Sequence, residues 1–240
     1  MRFLLYFLLL PAITGMSFAQ YTKITNTNNT PPEQINKYLE YAEKYKETDI
    51  DSFKFYLKKV ITVSNRHGIA TRNILKAYYL YGKLFYTENN TDSAFKYIKK
   101  SIEIAEKIKN DTFSAKSYRI TGNLYYNKND FNKSLKEFEK AMFYAEKIKD
   151  SILIVDISVD KAYSHEILSE NDSTLHLLEN AYDISEKINY EEGVGKSSLA
   201  IGNIYYSTNV FNKALKYYQK ALDAAKASNS IVGIATSYKN

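Results

Sequence analysis

The sequence predicts an all-α chain, a solenoid of antiparallel helix pairs with five repeats and a C-terminal half-repeat. Two observations support this. Glycines recur 40 residues apart at Gly82 and Gly122 and again at Gly202, each followed by a polar, an apolar and an aromatic residue. The segment after each glycine slot also carries a repeated pattern of small and large residues. A long internal period is typical of stacked arrays in which each unit packs only against its neighbours.

The first 19 residues (1–19) are predicted to be a signal peptide. Arg2 supplies a short basic segment, residues 3–10 are an unbroken apolar run, and Ser17-Phe18-Ala19 is typical of a cleavage site. The run is too short to cross a bilayer, which takes about 20 apolar residues. An uncleaved anchor is the alternative. We therefore expect an exported protein, periplasmic or extracellular, with no membrane contact beyond the signal peptide.

A flexible polar lead-in, rich in Asn and Thr, is predicted over residues 20–32. The rest of the chain, residues 33–240, is the predicted helical repeat domain. Its units span about 33–67, 68–110, 111–150, 151–190 and 191–230, with a partial unit at 231–240.

The first unit is a degenerate copy of the others. Its second helix carries residues 51–59, which match residues 92–100 of the next unit. Its first helix, expected from about Pro32 to Lys46, has no glycine slot. An atypical terminal repeat usually serves as a cap.

The third unit shows the expected pair of helices most clearly. Asp111 is expected to cap a first helix over about 112–127, and residues 127–130 form a polar turn. Asp130 is placed as the N-cap of a second helix over about 131–148, where its carboxylate accepts hydrogen bonds from first-turn amides.

Small residues recur at the positions where two helices of a unit would meet. The glycine register is Gly82, Gly122, Ala162 and Gly202. In the second helices a small residue follows each glycine slot by 12 positions, namely Ala94, Ser134, Thr174 and Ala214. A large residue comes four positions later, namely Ile98, Phe138, Leu178 and Tyr218. A second small residue comes three positions after that, namely Ser101, Ala141, Ala181 and Ala221. A glycine inside a helix costs about 0.8–1 kcal/mol relative to alanine. Its recurrence therefore favours a role in close helix packing.

This combination resembles the tetratricopeptide repeat family. The resemblance rests on the glycine slot, on the aromatic residues three positions after it (Phe85, Tyr125, Tyr205) and four before it (Tyr78, Tyr118), and on the small–large–small pattern. The spacing of 40 residues exceeds the family's usual 34, and His165 replaces the aromatic residue in the unit around Ala162. The resemblance implies a right-handed superhelical solenoid of the long-repeat kind, in an exported bacterial protein.

In that family the first helices line the concave face, and peptides or partner segments lie along it. The implied contact positions lie six and three residues before the glycine slot and one and four after it, which form one stripe of a helix. The expected partner-binding residues are Lys76, Tyr79, Lys83, Tyr86, Lys116, Arg119, Asn123, Tyr126, Lys196, Asn203 and Tyr206. The fourth unit supplies Asp156, Val159, Tyr163 and Glu166, which together with Asp160 make the groove locally acidic.

The residue types suggest the chemistry of the partner. The asparagines can hold the backbone of an extended ligand through their amides, and the tyrosines offer a large contact area at a small cost in entropy. The basic residues favour acidic segments or a terminal carboxylate. An ordinary polar solenoid face is the alternative for any single one of these residues.

Other classes of function are disfavoured. The net charge is +6, or +5 without Arg2, but lysines alternate with glutamates along the helices, whereas nucleic-acid binding needs one basic face. Cysteine is absent and the three histidines (His67, His165, His176) form no metal-binding spacing. Residues 193–197 resemble a phosphate loop but have Tyr190 in place of its first glycine. We expect no enzyme activity, no metal and no cofactor.

The 40-residue glycine register also suggests in what kind of protein these repeats occur. Gly233 and Tyr238 are in phase with the start of a sixth first helix, whose glycine slot would fall at position 242. We expect that the chain is truncated and is the sensory or interaction part of a larger signalling or regulatory protein. The alternative is a stand-alone periplasmic scaffold or adaptor.

Overall fold

The computed structural model describes residues 30–69, 71–168 and 171–230, together with Gly233 and Thr236, with only the backbone for residues 171–173. The predicted signal peptide, most of the lead-in and most of the partial sixth unit lie outside the described residues. Within the described part every regular element is an α-helix. The all-α prediction is therefore confirmed.

Ten helices are present in this part of the chain. They are α1 (Pro31–Tyr45), α2 (Ile50–His67), α3 (Arg72–Thr87), α4 (Thr91–Lys107), α5 (Asp111–Asn127), α6 (Phe131–Lys147), α7 (Ser151–Ile167), α8 (Asn171–Lys187), α9 (Glu191–Ser207) and α10 (Phe211–Ala227). They form five consecutive pairs, as the repeat pattern predicts. None of these helices is long and apolar enough to span a membrane.

The helices form two layers. Each helix packs against the next, and the odd-numbered helices also pack against one another, α1 on α3, α3 on α5, α5 on α7 and α7 on α9. In the described residues no two even-numbered helices pack to a comparable extent. The odd-numbered first helices therefore form the inner, concave layer of the solenoid, and the second helices form the outer layer.

From α3 onward the connections that are fully described contain three residues each, and the middle residue has a left-handed backbone. These residues are Asn89, Lys109, Asn129, Lys149, Asn189 and Asn209, with Asn229 in the same conformation after α10, and their φ angles lie between 53° and 62°. The residue that follows closes the turn, as when the Asn90 amide donates to the Phe85 carbonyl at 2.9 Å. This is the bond pattern of a Schellman motif.

At four connections that third residue also begins the next helix, because its side chain acts as the N-cap, namely at Asn90, Asn110, Asp130 and Asp150. Tyr190 and Val210 hold the same position without a side-chain cap. The Asn110 side chain accepts from the Phe113 amide at 3.2 Å, and the Asp130 side chain accepts from the Lys133 amide at 3.2 Å. The expected cap at Asp130 is confirmed. The expected cap at Asp111 is wrong by one residue, because Asn110 holds that position and Asp111 lies in the first turn.

The start of the first helix also differs from the prediction. Helix α1 begins at Pro31, so Pro31 and Pro32 belong to the helix and not to the lead-in. Proline suits the first helical position, since the amide it lacks would have no partner there. The Thr30 amide donates to the Glu33 carboxylate at 2.7 Å, which fixes this end.

The glycine slots are the points of closest approach within each pair. A Cβ atom on Gly82 would lie 2.7 Å from Ile98 Cδ1, and one on Gly122 would lie 2.5 Å from Phe138 Cε1. On Gly202 it would lie 2.6 Å from the Tyr218 ring. The large residue of each second helix thus occupies the space that a side chain at the glycine slot would need.

The remaining small positions are buried as well. Ala162 lies with Leu178 in one apolar cluster that joins the fourth and fifth units. The small residues of the second helices are nearly or fully inaccessible, namely Ala94, Ser101, Ser134, Ala141, Thr174, Ala181, Ala214 and Ala221. The first unit uses aromatic packing in place of a glycine, and Tyr41 and Tyr45 stack on Tyr56 with ring centroids 5.1 and 5.8 Å apart.

Candidate functional site

A cleft of about 600 Å³ lies on the inner layer, and residues from α3, α5, α7 and α9 line it. We call it the inner cleft. Seven of the predicted partner-binding residues line it, namely Tyr79, Lys83, Tyr86, Lys116, Arg119, Asn123 and Lys196. The other lining residues are Thr87, Ile120, Asp150, Ile152, Leu153, Asp156, Asp160 and Glu192.

The floor of the inner cleft is a network of paired charges between α5 and α7. Arg119 Nε donates to Asp160 Oδ2 at 2.6 Å, and Arg119 Nη1 donates to Asp156 Oδ2 at 2.7 Å. The Asn123 amide donates to Asp160 Oδ2 at 3.0 Å. These side chains are largely buried, with 24% of Arg119 and 13% of Asp156 exposed. We refer to these four residues as the floor.

The network continues to α9. Lys196 Nζ lies 3.3 Å from Asp156 Oδ1 and 2.6 Å from Glu192 Oε1. The Tyr190 hydroxyl donates to Asp156 Oδ1 at 3.2 Å. Asp156 thus connects α5, α7 and α9, three successive helices of the inner layer.

The pKa shifts agree with this pairing. Burial opposes the charged guanidinium of Arg119, but the attraction of Asp160 and Asp156 outweighs burial and raises its pKa. For Lys196, burial opposes the charge, and the hydrogen bond to Glu192 with the attraction of Asp156 still raises the pKa. Burial is the main cause of the raised pKa of Tyr190, and the charge of Asp156 adds to it. Arg119 and Lys196 are therefore held in their charged forms by the carboxylates around them.

Two lysines at the edge of the inner cleft differ from Arg119 and Lys196 in that no described carboxylate pairs with them. Lys83 is exposed and Lys116 is half-buried, and neither forms an ion pair with a described residue. We refer to them as the rim lysines. The remaining carboxylate of the cleft, Asp150, caps α7 by accepting from the Leu153 amide at 3.0 Å. The two rim ammonium groups are thus the cations of the cleft that have no carboxylate within the described part of the chain.

Two tyrosines accompany the rim lysines. The ring of Tyr79 packs edge-on against Phe113 with centroids 5.3 Å apart. Burial raises the pKa of Tyr79, and burial with the nearby charge of Asp160 raises the pKa of Tyr86. Both phenols therefore stay protonated near neutral pH and offer hydrogen-bond donors along the cleft.

Four predicted partner-binding residues lie outside the inner cleft. Lys76 pairs with Glu43 at 2.8 Å, and Asn203 accepts a hydrogen bond from the Tyr218 hydroxyl at 2.9 Å. Tyr126 and Tyr206 lie against phenylalanines at the start of the following helices, with centroids 5.5 and 5.7 Å apart. Partner binding by any of the eleven residues stays a prediction.

The sequence identified the basic and the acidic positions separately and missed their pairing. Asp156 and Asp160 follow Arg119 by 37 and 41 residues, three fewer and one more than the repeat length of 40. Such spacings place side chains of neighbouring first helices side by side, and an arginine with two carboxylates at these spacings is the signal that could have revealed the network.

Among the described residues no group of His, Asp or Glu could hold a metal ion.

Comparison with known proteins supports the repeat architecture. The family model for the tetratricopeptide repeat matches residues 75–108 and residues 196–228, which fall on α3–α4 and α9–α10. A search of curated proteins returns no match to this sequence. The two matched segments support the predicted tetratricopeptide repeats in the second and fifth units, and solved structures share the fold of the chain.

Three of these structures show the extent of the likeness. The chain is 12% identical to a Rap protein complexed with competence and sporulation factor, with a TM-score of 0.72, and 92% of this chain covers 62% of that one. Aspartyl phosphate phosphatase F from Bacillus subtilis is 13% identical with a TM-score of 0.71, over 87% of this chain and 55% of that one. Kinesin light chain TPR-like repeats of Podosopora anserina are 14% identical with a TM-score of 0.65, over 85% and 100%. At these identities the likeness concerns the fold.

Proposed function

We propose that this chain, which is built from tetratricopeptide repeats, is a non-catalytic module that binds a protein or peptide segment in its inner cleft. The observation that carries the proposal is the pair of rim lysines. Every other charge in the cleft has a partner within the described residues, whereas Lys83 and Lys116 have none. Together with the tyrosines they form a surface that suits an acidic segment.

The charges of the cleft favour this partner. Lys83, Lys116, Arg119 and Lys196 face Asp150, Asp156, Asp160 and Glu192. The carboxylates are engaged by Arg119, by Lys196 and by the start of α7, so that the potential at the rim is positive. An acidic side chain or a terminal carboxylate placed there can pair with a rim lysine and can accept from the hydroxyl of Tyr79 or Tyr86.

The wider context is also a proposal. We infer an exported module that forms the sensory or interaction part of a larger signalling protein, and a stand-alone periplasmic scaffold or adaptor is the second candidate. The Rap structure is a complex with competence and sporulation factor, so a protein of this fold is seen with a bound factor. The DNA sequence after codon 240 separates the two contexts. A membrane-spanning segment with an output domain supports the first, and a cap helix followed by a stop codon supports the second.

The binding proposal is tested by display of random twelve-residue peptides on the purified chain. We expect the wild type to enrich peptides with Asp or Glu, and the double variant Lys83→Gln with Lys116→Gln to lose that preference. Lys99→Gln, on the exposed surface of an outer helix, is the matched control and should keep it. Failure of the wild type to enrich any peptide, or an acidic preference that survives in the double variant, would contradict the proposal.

A further inference from the structure

The fourth unit has a glutamate at a position of the inner helices where three other units have a tyrosine. The position four residues after the glycine slot is Tyr86, Tyr126 and Tyr206 in three units and Glu166 in the other. Glu166 is half-buried and lies near the C-terminal end of α7, outside the residues that line the inner cleft.

No cation in the described part of the chain neutralises this carboxylate. Asp156 and Asp160, on the same helix, are held by Arg119, whereas Glu166 has no hydrogen bond or ion pair through its side chain to any described residue. The nearest lysine along α7, Lys161, is directed to Glu139 at 4.0 Å. Half-burial of a carboxylate without a counter-ion is unfavourable, and a cation supplied by another molecule would relieve that cost.

The surroundings of Glu166 are aromatic. Its charge reaches the phenols of Tyr126 and Tyr163, where it adds to the effect of burial in raising the pKa of each. Burial also raises the pKa of Glu166 itself. Tyr163 precedes Glu166 by about one turn of α7, and Tyr126 lies 37 residues before Tyr163, the spacing at which Arg119 contacts Asp156. A carboxylate beside tyrosine rings suits an ammonium or a guanidinium group, which gains both an ion pair and contact with a ring.

Glu166 and Lys116, one of the two rim lysines, lie on opposite sides of the floor. Arg119 of α5 contacts Asp156 of α7, 37 residues later, so Lys116 lies level with Leu153 on α7. Glu166 is 13 residues beyond Leu153, a separation of about 20 Å along the helix axis at 1.5 Å per residue. An extended peptide rises about 3.3 Å per residue, so about six residues span this distance.

We propose that Glu166 binds a lysine or arginine side chain of the ligand segment, so that the inner layer selects an extended peptide with an acidic residue at one end and a basic residue about six positions away. The inference rests on the proposed function, because it concerns the same ligand. It adds a second charge of opposite sign and a fixed spacing, which the rim lysines alone do not specify.

The same peptide display tests the inference. Among peptides enriched by the wild type, acidic and basic residues should co-occur at a separation of about six. Glu166→Gln should lose the basic preference and keep the acidic one, while Lys83→Gln with Lys116→Gln should do the reverse. Glu146→Gln, on the exposed side of α6, is the matched control. Acidic enrichment without a basic preference in the wild type, or a basic preference that survives Glu166→Gln, would overturn the inference and leave the proposed function standing.

A synthetic peptide of the enriched sequence measures how much its basic residue contributes to the binding affinity. Replacing its basic residue by glutamine should weaken binding to the wild type about tenfold and leave binding to Glu166→Gln unchanged. Equal weakening for both proteins would overturn the inference. A wild type that enriches no peptide overturns both proposals. Circular dichroism spectra that match the wild type show that each variant is folded.

Discussion

The floor and the rim of the inner cleft both place charged side chains on helices of the inner layer, yet they use charge in opposite ways. On the floor Arg119 is held by Asp156 and Asp160 at 2.7 and 2.6 Å. At the rim Lys83 and Lys116 have no carboxylate partner among the described residues. The floor joins successive units to one another, while the rim is available to another molecule.

The difference shows that a repeat position does not determine a role. The position three residues before the glycine slot is Tyr79 in one unit and Arg119 in the next. The first faces the cleft beside the rim, and the second links two helices. What decides the role is the residue on the neighbouring first helix at the same level.

The largest expected effect comes from breaking the floor. Arg119→Leu leaves the largely buried Asp160 without a cation and Asp156 with Lys196 alone, and loss of one partner of a buried ion pair typically costs about 3–5 kcal/mol. We expect a fall in the free energy of unfolding of at least about 2 kcal/mol in urea titrations, since the pair is partly exposed. Adding Asp156→Asn and Asp160→Asn to Arg119→Leu should recover part of that loss. A change below about 0.5 kcal/mol would mean that the floor does not join the units.

The packing beneath the floor is tested by a pair of glycines. Gly122→Ala places a Cβ atom 2.5 Å from Phe138 and should destabilise the protein by about 1–3 kcal/mol. Gly195→Ala is the matched control, because its Cβ atom would lie 3.7 Å from Ala224 in ordinary contact. The control should gain up to about 1 kcal/mol from helix propensity. Thermal melting measures both, and a shift of the same sign for the two variants would contradict the packing role of Gly122.

Alkaline pH should destabilise the protein through Tyr163, a half-buried tyrosine of α7. Burial, together with Asp160 and Glu166, raises the pKa of Tyr163 from 10.0 to about 12. The folded protein therefore holds this proton more tightly than the unfolded chain does, so stability is full below pH 10 and is lost as pH rises through 12. Urea unfolding at pH 9 and pH 11.5 should show the loss. Tyr163→Phe should reduce it by about 1–2 kcal/mol, and an equal loss in the variant would show that Tyr163 is not responsible.

The fold was predictable from the sequence because its determinants are local and repeated. The glycine register and the small–large–small pattern placed the helix pairs, and the helix ends differ by one residue at Asn110 and at Pro31. The 20-residue period of the connections was missed. Their left-handed residue is Asn at some connections and Lys at others, since the backbone bonds of the Schellman motif set the conformation more than the side chain does.

The site was predictable only in part. Helical periodicity placed Arg119 and Lys116 on the inner stripe, but it describes one helix at a time. Which of them is paired depends on the stagger between neighbouring first helices, which brings Asp156 and Asp160 to Arg119. That stagger is a property of the packed array and is not contained in the periodicity of either helix.

The smallest expected change in stability belongs to the variant that tests the central claim, namely that the floor stabilises the array and the rim binds the ligand. Lys83→Gln with Lys116→Gln is measured for both the free energy of unfolding and the affinity for a peptide selected on the wild type. We predict a stability within about 0.5 kcal/mol of the wild type and an affinity at least about tenfold weaker. Unchanged affinity together with a loss of stability as large as that of Arg119→Leu would contradict the claim.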